Sequence, residues 1–337
     1  MVSEKKKKWV ESGSESCIYH PSIPCSEKIE VLKEVKQSVG KVFLETKDAK
    51  REWNIAKQLF QIDPKQTYYI YPTTYCKVST DTFPTDSCVF LTENTQKLSE
   101  LKMKHVSNNL MEYSIKKKKR VSTEWFLKNI LHTLHGLEKL HQHGYIHNDI
   151  KYNNVMVDQD QWKLIDFGIS LEQKDYYDLQ KNVSLYTDYM IHPPEIRYYM
   201  RYYYLEKEIE SPVQFIENEW YLLHFMISET RQRNIDIYKL YFEYSTYRDA
   251  LQRFFKKVKY MSKRKLKKEM TKQVEKVDIY SLGLMLSQIY LYTNIQVNEE
   301  AFLIYSLIQH MIHPNMYERW SLPQCIRYVQ QLLKTPS

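Results

Sequence analysis

GYIHNDIKYNNVMVDQDQWKLIDFG, residues 144–168, is the stretch from which the rest of the chain can be placed. Asp149, Lys151, Asn154 and Asp166 follow one another in it at intervals of two, three and twelve residues. Two short apolar runs, 154–157 and 162–165, flank the polar Asp158-Gln159-Asp160-Gln161, a pattern that predicts a β-hairpin. Asn154 and Asp166 then stand at its two outer ends, and the loop carboxylate of Asp149 precedes it by five residues. Side chains so placed can converge, and hard oxygen donors in that number suit Mg²⁺ and a phosphate chain. Any one of them alone would read as an ordinary turn residue. Four in register would not.

With these spacings the stretch resembles the catalytic core of the protein kinase family. His147-Asn148-Asp149 stands where H-R-D is expected, Asn154 at the catalytic-loop asparagine, and Asp166-Phe167-Gly168 is an intact D-F-G. The resemblance implies that Asp149 accepts the proton of the substrate hydroxyl and that Lys151 steadies the transferring phosphoryl group. It implies that Asn154 and Asp166 hold Mg²⁺ against the phosphates of ATP.

Composition sets outer bounds. A chain of 337 residues is long enough for a sizeable two-lobed core. The five cysteines, Cys17, Cys25, Cys76, Cys88 and Cys325, are odd in number, scattered and without C-x-x-C pairing, so they read as reduced thiols of a cytosol-like compartment. The charged start, MVSEKKKKWVESGS, lacks the apolar run of a signal peptide, and no membrane-spanning segment is expected. The net charge of +8 comes from local runs at 5–8, 116–120 and 253–272, which read first as solvated faces and only secondarily as a nucleic-acid surface. Of only six glycines, Gly13, Gly144, Gly168 and Gly283 fall on landmarks of the kinase resemblance.

Residues 11–18, ESGSESCI, lie where the Gly-rich loop over the ATP phosphates belongs. With Ile18 as the valine of that motif, its glycine positions are Glu11, Gly13 and Ser16, so one glycine of three is present. Lys28–Leu44 suits two strands, and Thr46 opens a helix to about Gln61 with Ala49, Trp53, Ala56 and Phe60 on one face and Glu52 on the neighbouring one. In the family a strand lysine pairs with the glutamate of this helix and orients the phosphates. Two lysines compete here. Lys33 fits the family's residue count, whereas Lys41 lies in the better strand, SVGKVFL. The succession CIYHPSIPC, SVGKVF, KDAKREW and QIDPKQTYYIYP resembles the divergent serine/threonine kinases of large double-stranded DNA viruses, in which the lysine follows that short strand. This favours Lys41 with Glu52, and it implies action in the host cytoplasm or packaging in the virion.

Leu101–His105 reads as the strand and hinge that hold adenine, followed by Asn108-Asn109. Ser122 to about Gln142 reads as a helix with an apolar stripe at Phe126, Ile130, Leu134, Leu137 and His141. His192-Pro193-Pro194-Glu195 resembles the end of the activation segment, which implies a buried ion pair of Glu195 with Arg319. Val277–Gly283 resembles the start of the central helix of the large lobe, whose Asp278 should hold the catalytic-loop backbone. Between Glu195 and Asp278 the chain is far longer than the family needs, an insertion at about 198–275 that lacks glycine and favours helices.

The expected fold is therefore α+β: a single protein kinase domain over 1–337, with a small antiparallel-sheet lobe plus one helix at 1–105 and a helical lobe at 106–337. The implied activity is transfer of the γ-phosphoryl of ATP, with Mg²⁺, to Ser or Thr of a protein substrate. Lys151, two residues after the base, is the resemblance-based mark of Ser/Thr specificity. Two alternatives stand beside it: a catalytically weak pseudokinase scaffold, suggested by the thinned Gly-rich loop, and a nucleic-acid-binding protein acting through 253–272.

Overall fold

Residues 8–12, 16–44, 46–79, 88, 98–116, 122–177, 191–204, 211–228, 243–292 and 299–334 are described by the computed structural model. They divide into two compact units, residues 1–107 with 163–169 and residues 108–162 with 170–337.

The first unit is built on a six-stranded antiparallel sheet of β1 (Lys8–Ser12), β2 (Ser16–His20), β3 (Glu27–Val31), β4 (Ser38–Phe43), β5 (Thr74–Val78) and β6 (Leu98–Lys104), in the order β1-β2-β4-β6-β5-β3. The valine-rich segment thus forms two strands that end up apart, with β3 at the sheet edge beside β5. Helix α1 (Thr46–Ile62) begins with Asp48 in its first turn, where a carboxylate favours the helix dipole, and buries Ala49, Glu52, Trp53, Ala56 and Leu59. Leu59, rather than the expected Phe60, completes the buried stripe.

Successive strand residues face opposite ways, so the sheet has a second apolar face. There Cys17, Tyr19, Ile23, Val42, Cys76, Val78, Cys88 and Leu98 form a small core of their own. The cysteines in it correct an expectation. Instead of reduced thiols, Cys17 pairs with Cys88 and Cys25 with Cys76 as disulfides, and Cys325 is the free, buried thiol. Sequence separations of 71 and 51 residues give no local signature. The sheet order, not the spacing, brings these sulfurs together.

The second unit is mostly helical. Helix α2 (Leu110–Lys116) precedes α3 (Thr123–Gln142), which Ser122 caps through a 3.1 Å hydrogen bond accepted from the Trp125 N–H. All five residues of the expected α3 stripe are buried. After the short β7 (Tyr145–Ile146), strands β8 (Val155–Asp158) and β9 (Gln161–Leu164) form the expected hairpin. Its turn is shorter than the sequence suggests: Gln159 and Asp160 both adopt positive φ, 52° and 64°, the two-residue turn whose twist matches that of the strands. β10 (Leu171–Glu172) pairs with β7.

Helix α4 (Pro194–Tyr198) runs on into a π-helical turn over Tyr199–Tyr204. The inserted segment is helical where it is described, as α5 (Pro212–Ser228), α6 (Tyr244–Val258) and α7 (Lys263–Thr271). A buried ion pair, Arg197 with Glu219, ties α4 to α5. The unit closes with α8 (Lys276–Tyr292), α9 (Glu299–Met311) and α10 (Leu322–Leu332). An antiparallel-sheet unit and a mostly helical unit make up the α+β two-lobed class that the sequence predicts. No helix among the described residues is long and apolar enough to cross a membrane.

Candidate active site

In the first unit, β4 places Lys41 on the face that carries α1. The Lys41 Nζ lies 2.8 Å from Glu52 Oε2 and 2.8 Å from Asp166 Oδ1. Glu52 is buried, whereas the Asp166 side chain is 39% exposed. Burial by itself would lower the Lys41 ammonium, but the two carboxylates outweigh it and hold Lys41 above the ordinary lysine range. Of the two carboxylates that share this ammonium, Asp166 is the one with its side chain partly open to solvent. Asp166 is held at φ 61°, a left-handed conformation that aspartate tolerates better than most residues. Phe167 packs edge-on against Tyr69, and Arg51 Nε donates to the Gly168 carbonyl at 2.9 Å, so the two residues that follow Asp166 are both anchored. Lys33 is exposed in the connection from β3 to β4. Lys41 is the lysine that meets Glu52.

In the second unit the loop from 147 to 154 is held from below by Asp278 of α8. Its Oδ2 accepts the His147 N–H at 2.9 Å, its Oδ1 accepts the Asn148 N–H at 2.8 Å, and His141 Nε2 lies 2.9 Å from Oδ2. Burial pushes the Asp278 carboxyl up, but these hydrogen bonds and the histidines win and hold it below the usual range. A buried anion therefore organises the loop, as expected. On that loop Asn154 Nδ2 donates to Asp149 Oδ2 at 2.7 Å and to the Asp149 carbonyl at 3.0 Å, while Lys151 Nζ lies 3.1 Å from Asp149 Oδ1. With its nitrogen spent on Asp149, the Asn154 amide is oriented with its oxygen as the remaining ligand atom. Asp149, Lys151 and Asn154 are thus brought together.

The elements fall in the order that the motifs require, and a family model described as the protein kinase domain matches residues 7–204, more than half of the chain. The chain belongs to the protein kinase family. It is 39% identical over 64 residues to the MAP kinase kinase kinase mkh1 of Schizosaccharomyces pombe, covering 19% of this chain and 6% of that protein. It is 35% identical over 88 residues to the serine/threonine-protein kinase ppk31 of the same yeast, covering 25% of this chain and 8% of that protein. The matched segments are less than a tenth of either relative.

Ile18 sits in β2 directly opposite Lys41 in the β2–β4 register. Gly13 lies outside the described residues, as do Ser184 and Thr187 of the activation segment. Glu195 and Arg319 form the implied buried pair through two hydrogen bonds of 2.6 and 2.9 Å. Besides the disulfides and the Arg197–Glu219 pair, two further features lie outside the sequence reading. The Tyr176 hydroxyl donates to Asn148 Oδ1, and Glu100 of β6 is a fully buried carboxylate lying against Gly40. The signal for the second was available in the sequence, since a glycine inside a strand commonly marks a close approach.

Proposed function

We propose that this protein kinase transfers the γ-phosphoryl group of ATP, with Mg²⁺, to serine or threonine hydroxyls of protein substrates. The observation that carries this reading is Lys41 bonded at once to Glu52 and Asp166, an ammonium fixed between a helix carboxylate and the D-F-G carboxylate. A chain free of phosphotransfer has no physical need to keep a charged cluster of that composition partly buried.

Each residue then has one task. Lys41 orients the phosphates and Glu52 holds Lys41 in place. Asp166 offers a carboxylate oxygen and Asn154 an amide oxygen, both hard donors of the kind Mg²⁺ takes. By the resemblance these two residues would hold Mg²⁺, which would supply neutralisation of the charge developing on the phosphates. Asp149 accepts the proton of the substrate hydroxyl as its oxygen attacks phosphorus, and Lys151 stabilises the charge on the transferring group. Ser/Thr specificity rests on Lys151 in the resemblance. Action in the cytoplasm of an infected host cell, or from the virion, rests on the likeness to kinases of large DNA viruses.

The test is incubation of the purified chain with γ-labelled ATP, Mg²⁺ and generic basic and acidic proteins, followed by phosphoamino-acid analysis. Label on serine or threonine, lost when Mg²⁺ is chelated, is expected. Label on tyrosine alone would overturn the specificity, and no transfer to any acceptor would overturn the activity.

A further inference from the structure

The face of the sheet opposite Lys41 carries a second cluster of chemically active groups, which phosphotransfer does not use. Cys76 of β5 pairs in register with Glu100 of β6, which pairs with Val42 of β4; one step along, Thr74, Lys102 and Gly40 line up on the same face. The segment between β2 and β4 covers this face and delivers Cys25 to Cys76.

Glu100 is fully buried beside an apolar cluster, where a carboxylate is costly unless it has partners. It is nonetheless provided for. The Ile23 N–H donates to its Oε1 at 2.8 Å, and Lys102 Nζ lies 3.3 Å from its Oε2. A Cβ added at Gly40 would come within 1.7 Å of Oε1, so the side chain can lie flat on the sheet only because residue 40 is glycine. Its Oε2 is 3.7 Å from Cys76 Sγ, and one ligand atom from each of Cys25, Cys76 and Glu100 falls within 4.8 Å of the others. Ligands about a tetrahedral Zn²⁺ are separated by roughly 3–4 Å, so small shifts of these three would enclose one. Cys25 also lines a cavity of about 130 Å³ with Ser22, Ser38, Thr73 and Lys102. That cavity gives an entry path and room for a water as fourth ligand.

We infer that Cys25, Cys76 and Glu100 form a redox-gated zinc site on the outer face of the sheet. In the oxidised chain the two sulfurs are bonded to each other and no metal is held. A dithiol reductant delivers two electrons and two protons to them, becoming a disulfide itself, and leaves two thiols. Zn²⁺ then displaces the two thiol protons and is bound by two thiolates and the carboxylate. The three negative charges are balanced by Zn²⁺ and the Lys102 ammonium, so the buried cluster is neutral with the metal, just as Glu100 and Lys102 are neutral without it. Thiolate donors select Zn²⁺ over the Mg²⁺ proposed for the catalytic residues.

The test uses the full chain, reduced with a phosphine and freed of excess metal by gel filtration after addition of Zn²⁺, or of Co²⁺ as a spectroscopic probe. One metal ion per reduced chain is expected, with a thiolate-to-Co²⁺ charge-transfer band, and none after oxidation with glutathione disulfide. Cys25→Ser with Cys76→Ser should weaken binding by at least about 100-fold and Glu100→Gln by at least about 10-fold. The Cys17→Ser, Cys88→Ser double variant should bind like the wild type. No metal on the reduced wild type would overturn the site, a result that does not depend on how any variant folds. Equal binding by the oxidised chain, or by the Cys25/Cys76 double variant, would overturn it too.

Discussion

The Tyr176 hydroxyl donates a 3.0 Å hydrogen bond to Asn148 Oδ1, and both residues are fully buried. Asn148 stands immediately before the proposed base, where many kinases have an arginine that gathers a phosphate from the activation segment. Here Tyr176, eight residues after Gly168, is tied to that asparagine by a neutral hydrogen bond. The unphosphorylated chain, verified by intact mass, should therefore turn over fully. Tyr176→Phe should cost about 1 kcal/mol of stability and lower activity. Loss of activity on phosphatase treatment, with recovery on rephosphorylation, would contradict this.

The two candidate lysines separate cleanly. Lys41→Met removes the cation that Glu52 and Asp166 share and should nearly abolish turnover, whereas Lys33→Met removes an exposed charge, typically worth within about 0.5 kcal/mol of stability. The readout is kcat/KM for ATP in both variants. The reverse pattern would move the site to Lys33.

Glu195 and Arg319 are both buried, and breaking such a pair leaves an uncompensated charge. Glu195→Ala should lower unfolding stability by about 3–5 kcal/mol in denaturant titrations. The buried pair of Arg197 with Glu219 was not foreseen, and Glu219→Ala should cost a similar amount. A loss below about 1 kcal/mol for either would place that pair among surface bridges.

Acid should destabilise the chain before the carboxylates titrate. Burial, and then the nearby Arg197, push His192 down to about 4 from 6.5, against the pull of the Asn148 carbonyl and Asp278. Burial likewise takes His313 to about 4. The unfolded chain binds these protons more readily, so this contribution is intact above pH 6.5 and is lost as pH falls toward 4. Between pH 7 and pH 5 each histidine should remove about 2 kcal/mol. His192→Gln should flatten the profile measured by urea unfolding; an unchanged slope would contradict the assignment.

Much of this was legible because it is local. The helix beginning near Ser122, its stripe from Phe126 to His141 and the hairpin after Asn154 each depend on a few neighbouring residues whose pattern the sequence displays. Asp278 and Glu195 were reachable because each sits in a short motif whose resemblance implies its structural partner. What escaped depends on strand order. Nothing within a few residues of Cys25 announces Cys76, and Glu100 finds Cys76 only because β5 and β6 are neighbours. The choice between Lys33 and Lys41 was open for the same reason, since both precede α1 and only the sheet decides which one faces Glu52.

The central claim is phosphotransfer by Asp149 and Asp166, and the most direct measurement compares initial rates of γ-phosphoryl transfer by wild type, Asp149→Asn and Asp166→Ala at saturating ATP and Mg²⁺. Each substitution changes one carboxylate, and circular dichroism checks that each variant stays folded. The account predicts measurable transfer by the wild type and loss of nearly all of it in both variants. Near-wild-type rates in either folded variant would contradict it.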